Sequence, residues 1–187
     1  MATIIRQLLD FARRGNIAVA RQPLAKILKP TVDLLRPLAR KSRVEIEFEL
    51  PAEPLYVKAD GTLFQQVLTN LVVNAIDAMP RGGTVKITAG IETVTPPADV
   101  GATPGRYVCC RVQDSGEGMR PEIIPRLFEP FFTTKGIGKG TGLGLAVSYG
   151  IVSEHRGWID VKTELGKGSQ FTVYLPAGEP DSVDEVH

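Results

Sequence analysis

The chain has 187 residues, 43% hydrophobic and 23% charged, with a formal net charge of +1. Those figures suit one globular domain with a short extension and exclude general disorder. The near-neutral balance gives no basis for non-specific nucleic-acid or membrane-surface binding, and the longest uncharged run, residues 61–76, is too short and too rich in Gln and Asn to span a bilayer.

In chain order, residues 1–16 place Ile4, Ile5, Leu8, Leu9 and Ala12 at helical spacing before a Gly15-Asn16 stop. A helix so short is marginal alone and is expected to pack on something else. Residues 23–40 predict a second helix with Leu24, Ile27, Leu28, Leu35 and Leu38 on one side. Pro30 and Pro37 each remove a donor and are expected to kink it or start a new segment. Strict alternation over 44–50 predicts a half-buried strand with a glutamate-lined outer face, and 55–58 a second short strand.

The strongest periodicity lies in 61–79, where Phe64, Val67, Leu68, Leu71, Val72, Ala75, Ile76 and Met79 form one apolar stripe. Asp60 is the expected cap, and residues 80–83 the stop. Strands over 84–94 and 106–113 flank a Pro/Gly-rich loop with a solvated tip. A glycine-rich stretch fills 114–144, a helix is expected over 143–155, and strands over 158–163 and 170–175 close the domain. From residue 177 the chain is acidic and aperiodic, a frayed tail.

Cys109 and Cys110 are adjacent, so in a strand they point to opposite faces and neither close a loop nor share a metal ion. That usage, with no leader-like opening, predicts a reducing, cytoplasmic setting. Strands joined by hairpins with helices between them imply an α/β two-layer sandwich: a mixed sheet with helices on one face.

Four constellations could carry chemistry. Asn70, Asn74 and Asp77 fall within roughly 60° of one another on their helix at about 100° per residue. They are either a solvated face or an oxygen-donor line for a hydrated cation such as Mg²⁺. Asp114-Ser115-Gly116-Glu117-Gly118 follows a strand directly; it is a turn, or a carboxylate that accepts from an exocyclic amine beside glycines that admit a flat ring. Glycines 136, 138, 140, 142 and 144 alternate into a helix start, with Lys135, Lys139 and Thr141 among them. Such a run is a linker or a phosphate-binding helix N-terminus, and it is not a Walker loop. Gly166-Lys167-Gly168-Ser169 reads as a hairpin turn.

Taken in order, these pieces resemble the ATP-binding catalytic domain of the sensor histidine kinase family. QQVLTNLVVNAIDAM resembles its N box, DSGEG its first glycine box, LFEPFFTTK its F box, GTGLGL its second glycine box and GKGS its third. The opening IIRQLLDFARR resembles the end of that family's second dimerisation helix.

The resemblance implies a Bergerat fold with a mostly antiparallel sheet and a mobile ATP lid over 20–176, a dimerisation-helix remnant at 1–16 and a flexible tail at 177–187. By carry-over, Asn74 holds Mg²⁺ with Asn70 close by, and Asp77 lies beside them with no assigned contact. Asp114 accepts from the adenine amino group, Ser169 assists through a water, and Gly116 and Gly118 admit the ring. Gly140, Thr141, Gly142, Leu143 and Gly144 wrap the phosphates. Phe128, Phe131 and Phe132 anchor the lid or simply join the core, and Lys135 reaches the γ-phosphate.

Hydrolysing members of the superfamily, such as gyrase and the heat-shock chaperone, carry a Glu base one turn before the Mg²⁺-binding Asn. Here that position is Asn70, an amide without useful basicity. The resemblance therefore favours transfer over hydrolysis. Of two histidines, His155 reads as structural and His187 is the last residue. The expectation is a domain that binds ATP but does not phosphorylate itself, acting on a histidine supplied by a dimerisation domain and feeding a response regulator. A hydrolysing clamp and a nucleotide-binding switch without transfer are the rival readings.

Overall fold

The computed structural model describes residues 17–135 and 140–178. The helix expected over 1–16, Gly136, Gly138 and Lys139, His187, and the tail from 179 lie outside the described residues. Residues 177 and 178, expected to belong to the tail, are described and paired. Ala177 donates to the Arg106 carbonyl and Gly178 to the Tyr56 carbonyl, so both are tied down.

Strand β1 (Ala20–Pro23) leads directly into α1 (Leu24–Lys41), followed by β2 (Val44–Glu49), β3 (Tyr56–Ala59) and α2 (Gly61–Asp77). The long hairpin β4 (Gly83–Val94) and β5 (Gly105–Asp114) comes next, then a 3-10 segment at Pro121–Arg126 and α3 (Gly144–Glu154). β6 (Trp158–Glu164) and β7 (Gly168–Pro176) finish the domain. The main sheet has the order β2-β4-β5-β7-β6, antiparallel except for β2 with β4, whose connection runs through β3 and α2. β1 and β3 form a separate antiparallel pair. The three α-helices among the described residues back the main sheet, giving the expected mixed, mostly antiparallel two-layer sandwich.

Helix α1 runs unbroken through Pro30 and Pro37, against expectation. Both prolines are exposed, so the carbonyls they strand face solvent. An interior proline costs about 3 kcal/mol. Burial of Leu24, Ile27, Leu28, Val32 and Leu35 on the opposite side, at about 1.5–3 kcal/mol each, outweighs it. Leu38 is exposed, because the buried stripe passes through Ala39 instead. β1 carries no apolar alternation and is held by its ladder to β3, Ala20 opposite Ala59 through Pro23 opposite Tyr56.

Helix α2 buries Phe64, Val67, Leu68, Leu71, Val72, Ala75 and Ile76 against the sheet. The larger of these again contribute about 1.5–3 kcal/mol each, against a few tenths lost to valine's lower helix propensity. Asp60 caps the helix as expected, accepting from the Thr62 and Leu63 amides at 3.0 and 3.2 Å. His155 braces this start. Its Nδ1 lies 2.7 Å from the Ile151 carbonyl, which can only accept, so Nδ1 carries the proton and Nε2 accepts from the Asp60 amide at 2.9 Å. With both ring nitrogens engaged and 5% exposure, His155 is structural.

The two cysteines are free and buried, and burial raises both thiols, Cys110 to about 12, which disfavours the thiolate. Among the described residues, no helix is long and apolar enough to cross a membrane.

His155→Ala leaves the Asp60 amide and the Ile151 carbonyl without these partners. It is expected to lower stability by about 1–3 kcal/mol in urea unfolding with an unchanged slope. A variant as stable as the parent contradicts the bracing role.

Candidate functional site

One cavity of about 630 Å³ opens between α2, the start of α3, the end of β5 and residues of the 127–135 and 140–142 stretches. Eleven predicted residues line it: Asn70, Asn74, Asp77, Asp114, Gly118, Lys135, Gly140, Thr141, Gly142, Gly144 and Ser169. Two do not. Gly116 sits behind Asp114, where its amide donates to Asp114 Oδ1 at 2.8 Å and a Cβ would meet the Ala78 carbonyl at 2.5 Å. Leu143 is 1% exposed, so its side chain is buried just before α3 begins.

At one end of the cavity lies Asp114, the last residue of β5, paired with Ser169 of β7. It is 5% exposed. Oδ1 accepts from the Gly116 amide at 2.8 Å and the Ser169 amide at 3.3 Å, while Oδ2 has no donor among the described residues. Burial pushes the carboxyl above its ordinary range, and the two amides pull the other way. A buried acceptor without a partner suits an incoming amine. Thr163, missed from the sequence, supports this end. It gives its hydroxyl proton to the Gly168 carbonyl, accepts from the Met119 amide at 2.9 Å, and so takes the Ser169 hydroxyl proton at 2.9 Å. Met119, Leu127, Leu145 and Phe171 add apolar walls for a flat ring.

At the other end lies the polar face of α2. Lys135 reaches across the cavity, with Nζ 2.5 Å from Asp77 Oδ2 and 3.3 Å from Asn74 Oδ1. An ammonium resting on these two oxygens marks a place where a cation is favoured. The donors are hard oxygens, and no group of three His, Cys, Asp or Glu is present among the described residues. That set fits a hydrated Mg²⁺ held largely by phosphates better than a transition metal. Asn70 turns its amide nitrogen toward α3 instead, donating to the Gly144 carbonyl and Ser148 Oγ, each at 3.1 Å.

The start of α3 forms the third wall. Its first intrahelical bond is from the Val147 amide to the Leu143 carbonyl, so the amides of its first turn, Gly144 to Ala146, have no helical acceptor and suit an anion. Thr141 Oγ1 accepts from the Leu143 amide at 3.4 Å. Gly142 has φ +68° and Phe131 φ +66°, and the Phe131 amide donates to the Gly142 carbonyl at 2.9 Å. A Cβ on Gly142 would stand 2.4 Å from the Phe131 carbonyl carbon, so only glycine fits there. The three phenylalanines part company. Phe128 packs on Tyr149 of α3 with ring centroids 5.2 Å apart, Phe132 lines the cavity under the Arg126 guanidinium, and Phe131 is 63% exposed.

Residues 59–179 match the family described as histidine kinase-, DNA gyrase B- and HSP90-like ATPases. The chain belongs to this family. It is 40% identical over 181 residues to the sensor kinase CckA of Brucella abortus, covering 94% of this chain but 19% of that protein. The crystal structure of full-length ShkA in complex with AMPPNP superposes with a TM-score of 0.77 at 27% identity, covering 94% of this chain and 35% of that one. The histidine kinase ThkA in complex with the response regulator TrrA superposes at 0.73 and 30% identity, covering 94% of this chain and 46% of ThkA. Within the family, then, this is the ATP-binding catalytic domain of the histidine kinases.

In this kinase domain Asp114 generates a two-sided prediction. A raised folded-state pKa means that the folded protein holds the proton more tightly than the unfolded chain. Stability from this group is therefore present at low pH and lost as pH rises from the ordinary 3.8 through the raised value. Asp114→Asn keeps the Oδ1 acceptor but removes the buried charge and turns a donor toward the incoming amine. Its unfolding midpoint at pH 7 is expected to equal or exceed the parent's, while ATP affinity falls about tenfold or more and discrimination against GTP relaxes. Calorimetry with both nucleotides checks this, and unchanged selectivity counts against it.

Proposed function

We propose that this chain binds Mg-ATP and transfers its γ-phosphoryl group to a histidine supplied by a dimerisation domain. The phosphoryl group then passes to a response-regulator receiver domain. The observation that carries the reading is one cavity with a donor-free carboxylate oxygen at one end and a cation-ready oxygen face at the other, 37 residues apart in sequence at Asp114 and Asp77.

Each residue has a task. Asp114 accepts from the exocyclic amine of adenine, and the Ser169 hydroxyl, committed to Thr163, keeps lone pairs for a bridging water. Asn74 offers an oxygen to hydrated Mg²⁺, with Asn70 and Asp77 on either side of it along α2. Gly140, Thr141, Gly142 and Gly144 bring backbone amides to the phosphates. Lys135 exchanges Asp77 for the γ-phosphate, where its charge counters the charge that develops during transfer. Bound Mg-ATP supplies the phosphoryl group and the cation that neutralises it; a ring nitrogen of the acceptor histidine takes the group and ADP leaves. The position one turn before Asn74, where the hydrolysing relatives carry their base for water, is the amide Asn70. His155, engaged at both nitrogens, is not an acceptor.

Relatives whose names are sensor kinases, and the neighbour solved with a response regulator, support the two-component assignment. Mg-ATP as co-substrate supports a cytoplasmic site of action.

The test pairs this protein with an isolated histidine-kinase dimerisation domain and labelled ATP. Acid-labile, base-stable label on the dimerisation domain is expected, with little phosphate release when that domain is left out. Binding without transfer would favour the nucleotide-dependent switch, and steady phosphate release without an acceptor would favour the hydrolysing clamp. Asn74→Ala is expected to abolish the Mg²⁺-dependent part of ATP affinity. Lys135→Ala should slow transfer about 10²-fold or more while leaving Mg²⁺-free affinity within about threefold. Wild-type transfer in the lysine variant removes Lys135 from the mechanism.

A further inference from the structure

We propose that Ser148 is a positioning residue for the metal end of the site. It holds the Asn70 amide with its nitrogen toward α3 and its oxygen toward the cation, an inference that rests on the Mg-ATP reading above.

Ser148 is completely buried in the second turn of α3. A serine hydroxyl has one proton, and here it goes to the Gly144 carbonyl, one turn earlier, at 2.9 Å. That bond alone is ordinary for a buried helical serine. It does not account for the hydroxyl's second contact: the lone pairs left on Oγ accept from Asn70 Nδ2 at 3.1 Å. The Gly144 carbonyl accepts from the same Nδ2 at 3.1 Å. The Asn70 amide nitrogen thus donates to two acceptors that are themselves joined by a hydrogen bond.

This closed triangle decides which way the amide faces. Rotating it by half a turn would set Asn70 Oδ1 against the Gly144 carbonyl and against a hydroxyl whose only proton is already given away. Two hydrogen bonds would be lost and acceptors would oppose each other. With the nitrogen held inward, the oxygen is the end left for the cavity that Asn70 lines, one helical turn before Asn74. The orientation fixes the sign of the local dipole. An amide oxygen at that place attracts Mg²⁺ or its water shell, whereas an amide NH₂ would repel it. Remove the Ser148 hydroxyl and one of the two N–H partners disappears, so rotation becomes cheaper and the site spends time with the wrong end forward.

The experiment is calorimetric titration of the whole domain with ATP, with and without Mg²⁺. For Ser148→Ala, Mg²⁺-free ATP affinity is expected to match the parent, while the enhancement produced by Mg²⁺ falls about three- to tenfold. In an Asn70→Ala background the same substitution is expected to have no further effect on that enhancement, because the residue acts through Asn70. Equal losses with and without Mg²⁺ would mean a merely structural serine and would overturn the proposal. So would an unchanged enhancement, or an additive loss in the Asn70→Ala background. If the unmutated domain binds ATP with no Mg²⁺ enhancement, the functional reading falls first and this one with it. A measurement on the unmutated protein stands apart from how the variants fold. In nitrogen-edited NMR the Asn70 side-chain amide protons are expected to exchange slowly and to show cross-relaxation with Gly144 and Ser148 protons. Fast exchange without those cross-peaks would refute the triangle directly.

Discussion

The seating of α2 on the sheet is the constraint on which the rest of the structure depends. Its stripe from Phe64 to Ile76 is buried, and that burial turns Asn70, Asn74 and Asp77 toward the cavity with no freedom to choose otherwise. Asp60 caps the helix and His155 reaches from the end of α3 to hold the cap's own amide, so the starts and ends of two helices are tied at one point. About 21 Å of helix, the span from Asp60 to Asn74 at about 1.5 Å per residue, then separates that brace from the face that Lys135 rests on. Asn70 adds a second tie, from the middle of α2 to the start of α3. The α2 and α3 walls of the cavity are therefore tied to each other by side chains.

The two ends of the cavity are built on opposite electrostatic principles. Asp114 is a carboxylate made expensive by burial and kept in place by two backbone amides, with one oxygen left unsatisfied. Occupation by an amine relieves that deficit. At the other end, Lys135 satisfies Asp77 and Asn74 within the protein itself. In the proposed function, nucleotide entry at that end exchanges one set of charge partners for another. On that proposal, recognition is strongest where the protein is least satisfied, at the ring, and most adjustable where the phosphates lie.

Much of the fold and of the site was legible from residue patterns. Period 3.6 over 61–79, period 2 over 44–50 and the turn chemistry at 80–83 each reflect which side chains a single element can bury, and the elements formed where those patterns lie. Asp114 was legible as a candidate because a carboxylate stands at a strand end before two glycines, although a plain turn has the same composition and only its place among the other motifs singled it out. Other features were hidden for identifiable reasons. β1 has no alternation and exists because β3 offers it hydrogen bonds. The continuity of α1 through Pro30 and Pro37 depends on both prolines facing water, which only the packed helix reveals. Thr163 is one polar residue on an inward-facing strand position, without any local signal of its partners Met119 and Ser169.

The sequence by itself determined the elements, the order of the motifs and the chemical kinds of donor available: amides and carboxylates on one helix, a carboxylate at a strand end, glycines before another helix. These follow from periodicities of two and 3.6 and from backbone preferences, all properties of neighbours along the chain. Tertiary structure alone decided the pairings. Lys135 meets Asp77 across 58 positions and Asn70 meets Ser148 across 78. Contacts at such separations depend on how helices and strands stack after collapse, and no local spacing encodes which side chain will stand opposite which.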